Sequence, residues 1–204
     1  MIITITNFCE NIGKTSIIVF LSNYLLQTKQ FQKIFIIDCG KGNLISSLYN
    51  KEKISINPNI LLDVVSESNK DILLNENVLT ELNESDDLYI IDLKAKFDKE
   101  MLRLLKKSNY IIVPYANFSN VLKSTIEFGK LSKTIAEGEI FFLNNFSETK
   151  NKVDMELIVE LNEYGSVIED GIPKILNFKT SFLNPNDLLS FRKAFDKLSY
   201  SLFD

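Results

Sequence analysis

Gly13-Lys14-Thr15-Ser16 brings a flexible residue, an ammonium and two hydroxyls into one short run, a set suited to gripping a phosphate. The Lys14 ammonium would sit against β- and γ-phosphates, and the Thr15 hydroxyl would ligate Mg²⁺. The backbone amides from Asn11 to Ser16 would point at the anion. Asn11, Gly13, Lys14, Thr15 and Ser16 are therefore the candidate nucleotide-binding residues of the loop. Two aspartates, Asp38 and Asp92, each close an apolar run and are candidates to hold Mg²⁺ with Thr15, directly or through water. A Gly-Lys-Thr triplet alone is common. This one gains weight from the apolar run Ile2 to Thr6 before it and the apolar helix pattern after it.

The residues just before the triplet do not favour an anion. Glycines are expected where Glu10 and Asn11 stand. Asn11 tolerates a left-handed backbone at modest cost and can replace one of them. Glu10 cannot do so cheaply, and its carboxylate would lie near the phosphates. Two unit charges about 4 Å apart interact by about 4 kcal/mol at an effective dielectric of about 20. Unless Glu10 turns outward, weak nucleotide affinity is expected.

The chain has no histidine, which removes the commonest general base and metal ligand. Any catalysis would run through carboxylates, lysine, a bound metal or positioned water. Two cysteines, Cys9 and Cys39, make neither a disulfide framework nor a zinc pattern and read as reduced, inert thiols. A net charge of -4 gives no global attraction to nucleic acid. No apolar run approaches the roughly 20 residues that span a bilayer, and there is no secretory-type leader, so a cytoplasmic protein is expected.

Positioning these groups requires alternating strands and helices. Apolar, β-branched or aromatic runs predict strands at Ile2 to Thr6, Lys33 to Asp38, Leu88 to Asp92, Tyr110 to Pro114 and Glu139 to Asn144. Helical spacing predicts helices at Lys14 to Thr28, Asn43 to Tyr49, Lys99 to Lys107, Ser119 to Ala136, Val153 to Glu163 and Asn186 to Phe203. Between Lys51 and Ser85 the periodicity is weak; a helix near Ile60 to Val65 and a short element around Leu73 to Leu82 are expected. The order implies one α/β domain over residues 1–204, a doubly wound, mostly parallel sheet with helices on both faces. Ligands are then expected at the carboxyl ends of the strands.

These motifs, in this order, resemble the ParA/MinD-type deviant Walker ATPases, which partition plasmids and chromosomes or position division machinery. Cys9-Glu10-Asn11-Ile12-Gly13-Lys14-Thr15 occupies the place of that family's Lys-Gly-Gly-x-Gly-Lys-Thr. Phe35-Ile36-Ile37-Asp38 with Gly42-Asn43-Leu44 matches the next landmark, and Asp87-Leu88-Tyr89-Ile90-Ile91-Asp92 looks like the Walker B strand. Ile111-Ile112-Val113-Pro114, Phe141-Phe142-Leu143-Asn144 and Gly171-Ile172-Pro173-Lys174 follow in family order. The resemblance implies ATP and Mg²⁺ as ligands, with Asn144 and Pro173 flanking the base. It also implies a ParB-like or other adaptor protein as partner, and a homodimer.

The departures fall on the catalytic positions. The signature lysine that reaches across the family's dimer is Cys9 here, which makes a nucleotide-sandwich dimer doubtful. The water-positioning aspartate corresponds to Gly40 or is lost in a one-residue deletion. Weak or absent hydrolysis is expected, and a pseudo-ATPase serving as an interaction module is the alternative. Lys94, Lys96, Lys99, Arg103, Lys106 and Lys107 form a basic cluster open to nonspecific DNA, but Asp98 and Glu100 intervene and a solvated helix face is the simpler reading. Leu188, Phe191, Phe195, Leu198 and Leu202 recur at helical spacing, where packing on the sheet is favoured over membrane binding.

Overall fold

Strands made of consecutive Ile, Leu, Val and Phe have no polar face to show water, so they are stable only inside a sheet covered on both sides. The computed structural model builds such a sheet; it describes residues 1–39, 45, 57–64, 69, 73–93, 98–116, 119–145, 155–172 and 185–203. Gly40, Gly42, Asn43, Leu44, Lys94, Lys96, Pro173 and Lys174 lie outside the described residues, as does the helix expected at Asn43 to Tyr49 apart from Ile45.

Among the described residues there are seven strands: β1 (Ile2–Ile5), β2 (Ile34–Cys39), β3 (Ile60–Val64), β4 (Leu88–Leu93), β5 (Tyr110–Tyr115), β6 (Glu139–Asn145) and β7 (Ser166–Ile172). They form one sheet in the order β3-β2-β4-β1-β5-β6-β7, and every pairing is parallel. The α/β class and the doubly wound arrangement are as the sequence predicts. Two strands differ from expectation. Ile60–Val64 is the edge strand β3 rather than a helix, because Ile34 to Asp38 of β2 offers it a full parallel ladder. Ser166–Ile172 is an additional edge strand, paired with β6 through an irregular register near Leu143 to Asn145.

The connections are helical: α1 (Lys14–Gln27), α2 (Glu76–Glu84), α3 (Lys99–Lys107), α4 (Ser119–Ile135), α5 (Met155–Asn162) and α6 (Pro185–Phe203). The period of two along each strand separates two cores. Ile36, Ile90 and Ile112 face α1 and α6, whereas Ile37, Ile91 and Ile111 face the side of α2 to α5. On α6, Phe195, Leu198 and Leu202 are buried in the first core, which agrees with packing on the sheet. At α3, the Asp98 carboxylate accepts the Met101 N–H at 3.1 Å while Lys106 and Lys107 occupy the last turn. Acid at the start and base at the end complement the helix dipole and account for this part of the basic cluster. Met101, Leu104 and Leu105 face the sheet, and Lys99 and Lys106 are exposed.

Candidate functional site

β1 is the central strand, flanked by β4 and β5, and the loop that leaves it sits where ligands bind in doubly wound sheets. The residues that the sequence offers as a phosphate grip follow at once. Asn11 takes φ 57° and Gly13 φ 78°, so the loop turns through two left-handed positions before α1 begins. Asparagine is among the few side chains that adopt this conformation readily, and Asn11 serves as the expected glycine substitute. Ile12, between them, is only 3% exposed and pins the loop to the core. Gly13 is the N-cap, and its carbonyl accepts the first helical bond from Ile17 N–H at 3.0 Å. Among the described residues no side chain caps α1, and its first turn carries no acid. The helix start therefore presents amide donors and positive dipole to the edge of the sheet.

Four of the singled-out side chains, Thr15, Asp92, Asp38 and Lys14, converge there. Thr15 Oγ1 donates to Asp92 Oδ2 at 3.1 Å, joining α1 to the end of β4 across 77 residues. Asp38 is the register partner of Asp92 on β2, and both are buried, at 0% and 3% exposure. Burial, and then the neighbouring Asp38 charge, push the Asp92 carboxyl up to about 7, against the pull of Thr15 and Lys14. Lys14 Nζ donates to the Cys9 carbonyl at 2.7 Å, so the ammonium rests inside the loop. Burial lowers its pKa, partly opposed by Asp92, Cys9 and Glu10.

Glu10 is exposed, where solvent screens its carboxylate, although its charge still acts on Lys14. Ser16 is half-buried in the first turn of α1. Cys39 is fully buried and Cys9 partly so, and the two form no disulfide. Asn144 is buried at the end of β6, opposite Tyr115, two strands from β1 along the same sheet edge. Pro173, expected beside it, lies outside the described residues. A cleft of about 480 Å³ lined by Lys133, Asn162 and Tyr164 lies at the opposite edge, where β6 and β7 begin, and is separate from this constellation.

Asn7 is not among the residues that the sequence singles out, yet it is fully buried beside the loop. Its amide bonds Pro114 O and Thr125 Oγ1, and its carbonyl oxygen receives the Cys9 N–H. A polar amide two positions past the end of the mostly apolar Ile2–Ile5 strand is the signal that points to it.

The donor set fits a hard divalent cation. A hydroxyl and two carboxylates, one of them pushed toward protonation by its neighbour, offer oxygen ligands and an unbalanced negative charge. The amides of the α1 start, with Lys14, fit an anion beside it.

No family model matches the sequence, and no curated protein matches it. Solved structures do. A plasmid partition protein from Borrelia burgdorferi bound to AMPPNP superposes with a TM-score of 0.75 at 19% identity, covering 98% of each chain. A McdA variant from Cyanothece in complex with ATP gives a TM-score of 0.75 at 16% identity, over 98% of this chain and 95% of that one. MinD in the MinC:MinD cell division complex of Aquifex aeolicus gives 0.72 at 13% identity, over 98% and 95%.

Proposed function

We propose that this chain, which has the ParA/MinD-type fold, is a ParA-like nucleotide-binding protein acting in plasmid or chromosome partition or in intracellular positioning, with weak or absent ATP hydrolysis. The Thr15–Asp92 hydrogen bond beside the Lys14 ammonium carries the reading, because it joins the two halves of a Mg²⁺-nucleotide site. Thr15 and Asp92, with Asp38 behind them, would hold Mg²⁺. When bound, the ion would neutralise the phosphate oxygens and the buried carboxylates together. Lys14 would exchange the Cys9 carbonyl for phosphate, and the amides from Asn11 to Ser16 would complete the cradle. Asn144 and Pro173 are assigned to the base by resemblance. Fold relatives in complex with AMPPNP and ATP support the choice of ligand.

Weak turnover follows from the same residues. In-line attack needs a positioned water and charge stabilisation at the transferred group. Cys9 stands where the family's crossing lysine would be, and its backbone carbonyl occupies this chain's own Lys14. A pseudo-ATPase that binds a partner without turnover is the second reading, motivated by Cys9, Glu10 and Gly40. An adaptor protein is the expected partner, as MinC is for MinD in one fold relative. Calorimetry tests the nucleotide reading: Mg²⁺-ATP binds the wild type, and Lys14→Ala abolishes binding. No heat of binding at millimolar ATP would refute it. A partner-stimulated hydrolysis rate that Lys14→Ala removes would exclude the pseudo-ATPase.

A further inference from the structure

β1 must leave the sheet abruptly for the phosphate loop to form, and the side chain at the exit governs how it does so. Thr6 N–H still bonds Ile112 O at 3.1 Å, a last rung of the β1–β5 ladder. The next carbonyl in that row belongs to Pro114, and it receives the Asn7 side-chain Nδ2 at 2.7 Å. A side-chain amide thus does the work of a backbone N–H, and the main chain is released to turn. The second amide hydrogen goes to Thr125 Oγ1 on α4 at 2.9 Å. The Thr125 hydroxyl proton is committed to Val121 O at 2.8 Å, so its oxygen is the acceptor and the Asn7 amide has one orientation. Asn7 Oδ1 then accepts Cys9 N–H at 3.2 Å, a two-residue side-chain turn that starts the loop. Cys9 closes the chain of contacts, because its carbonyl holds Lys14 Nζ. Phe8, between the two, packs edge-on against Phe128 of α4 with ring centroids 5.0 Å apart.

We propose that Asn7 is the positioning residue of the phosphate loop: it ties the Cys9 peptide to Pro114 and Thr125 and thereby sets where the Lys14 ammonium rests. The proposal builds on the nucleotide-site reading above but concerns a geometry that exists without nucleotide. It also makes α4 part of the loop's foundation, since a change at Thr125 reaches Lys14 through three hydrogen bonds. Neither backbone propensity nor burial alone requires an asparagine here. An aspartate keeps the turn to Cys9 but has no hydrogen for Pro114, and a leucine of similar size keeps neither.

The test uses Asn7→Ala, Thr125→Val and the double variant, with two readouts. Nitrogen NMR of the nucleotide-free proteins follows the Cys9 amide and the Lys14 Nζ resonances, and calorimetry follows Mg²⁺-ATP binding. In Asn7→Ala both resonances move, and Mg²⁺-ATP affinity falls about tenfold. Thr125→Val weakens binding severalfold, and the double variant binds no worse than Asn7→Ala, as expected when both changes cut one tether. Unchanged resonances in Asn7→Ala overturn the proposal, as do wild-type affinity or additive losses in the double variant. If the wild type binds no Mg²⁺-ATP, the nucleotide reading fails while the resonances still decide the role of Asn7. If Asn7→Ala does not fold, Thr125→Val decides, and an unmoved Cys9 amide there overturns the proposal.

Discussion

Replacing Asp92 by asparagine should stabilise the nucleotide-free, metal-free protein, and only above a defined pH. Asp92 is 3% exposed, and its carboxyl is raised from an ordinary 3.8 to about 7, by burial first and Asp38 second. The folded state therefore keeps this proton at pH values where the unfolded chain has lost it. Below about 4 both states are protonated and the site costs nothing. Between about 4 and 7 stability falls as pH rises, by roughly 1.4 kcal/mol for each pH unit. Above 7 both states are ionised and the full cost, on the order of 4 kcal/mol, is present. Asparagine keeps an acceptor for Thr15 and removes the titration. Urea unfolding of wild type and Asp92→Asn in EDTA, from pH 4.5 to 8.5, reads the difference directly. The variant gains on the wild type as pH rises, by about 3 kcal/mol across the range, or on the order of 10 °C in melting temperature for a domain of this size. Added Mg²⁺ narrows the gap at pH 8 by binding only the wild-type carboxylate pair. A stability difference that does not vary with pH would show that Asp92 does not carry an elevated pKa, and the electrostatic account of the site would be wrong.

Two further changes probe the loop and the core. Gly13→Ala forces a Cβ onto a residue at φ 78° and should cost about 1–2 kcal/mol by urea denaturation, with weaker Mg²⁺-ATP binding by calorimetry; an unchanged midpoint would contradict the left-handed cap. Phe195→Ala empties a fully buried position of the α1–α6 core and should cost about 3–5 kcal/mol, read as a drop in melting temperature of about 10 °C, without changing nucleotide affinity in the folded fraction.

The strands that the sequence reveals are those buried on both faces. Ile34 to Cys39, Leu88 to Leu93 and Tyr110 to Tyr115 are apolar almost throughout, because each has neighbours on both sides and helices above and below. β3 and β7 are the edges, and there the signal fails. Leu61 of β3 is 42% exposed, and Ile-Leu-Leu-Asp-Val suits a helix as well as a strand until β2 supplies its ladder. β7 contains Ser166, Glu169, Asp170 and Gly171, too polar to read as a parallel strand. At the site, the Gly-Lys-Thr run and the two aspartates are legible because each ends or begins an element. The Thr15–Asp92 contact is not, since nothing local links residues 77 apart. The role of Asn7 depends on a proline carbonyl 107 residues away, and only the register of β1 against β5 brings the two together.

The central place of β1 also bears on how the protein is made. Ile2–Ile5 pairs with β4 and β5 and with no strand nearer in sequence, so its partners do not exist until residues 88–93 and 110–115 have been synthesised. At about 5–20 residues per second this leaves a mostly apolar strand waiting roughly 5–20 s on the ribosome. β2 waits a shorter time for β4, roughly 50 residues of synthesis, with only β3 to pair meanwhile. Folding of the nascent chain is thus gated by the arrival of β4 and β5. Before that point the exposed strands are targets for chaperones or for aggregation, and slow codons placed upstream of residue 88 would lengthen the hazard.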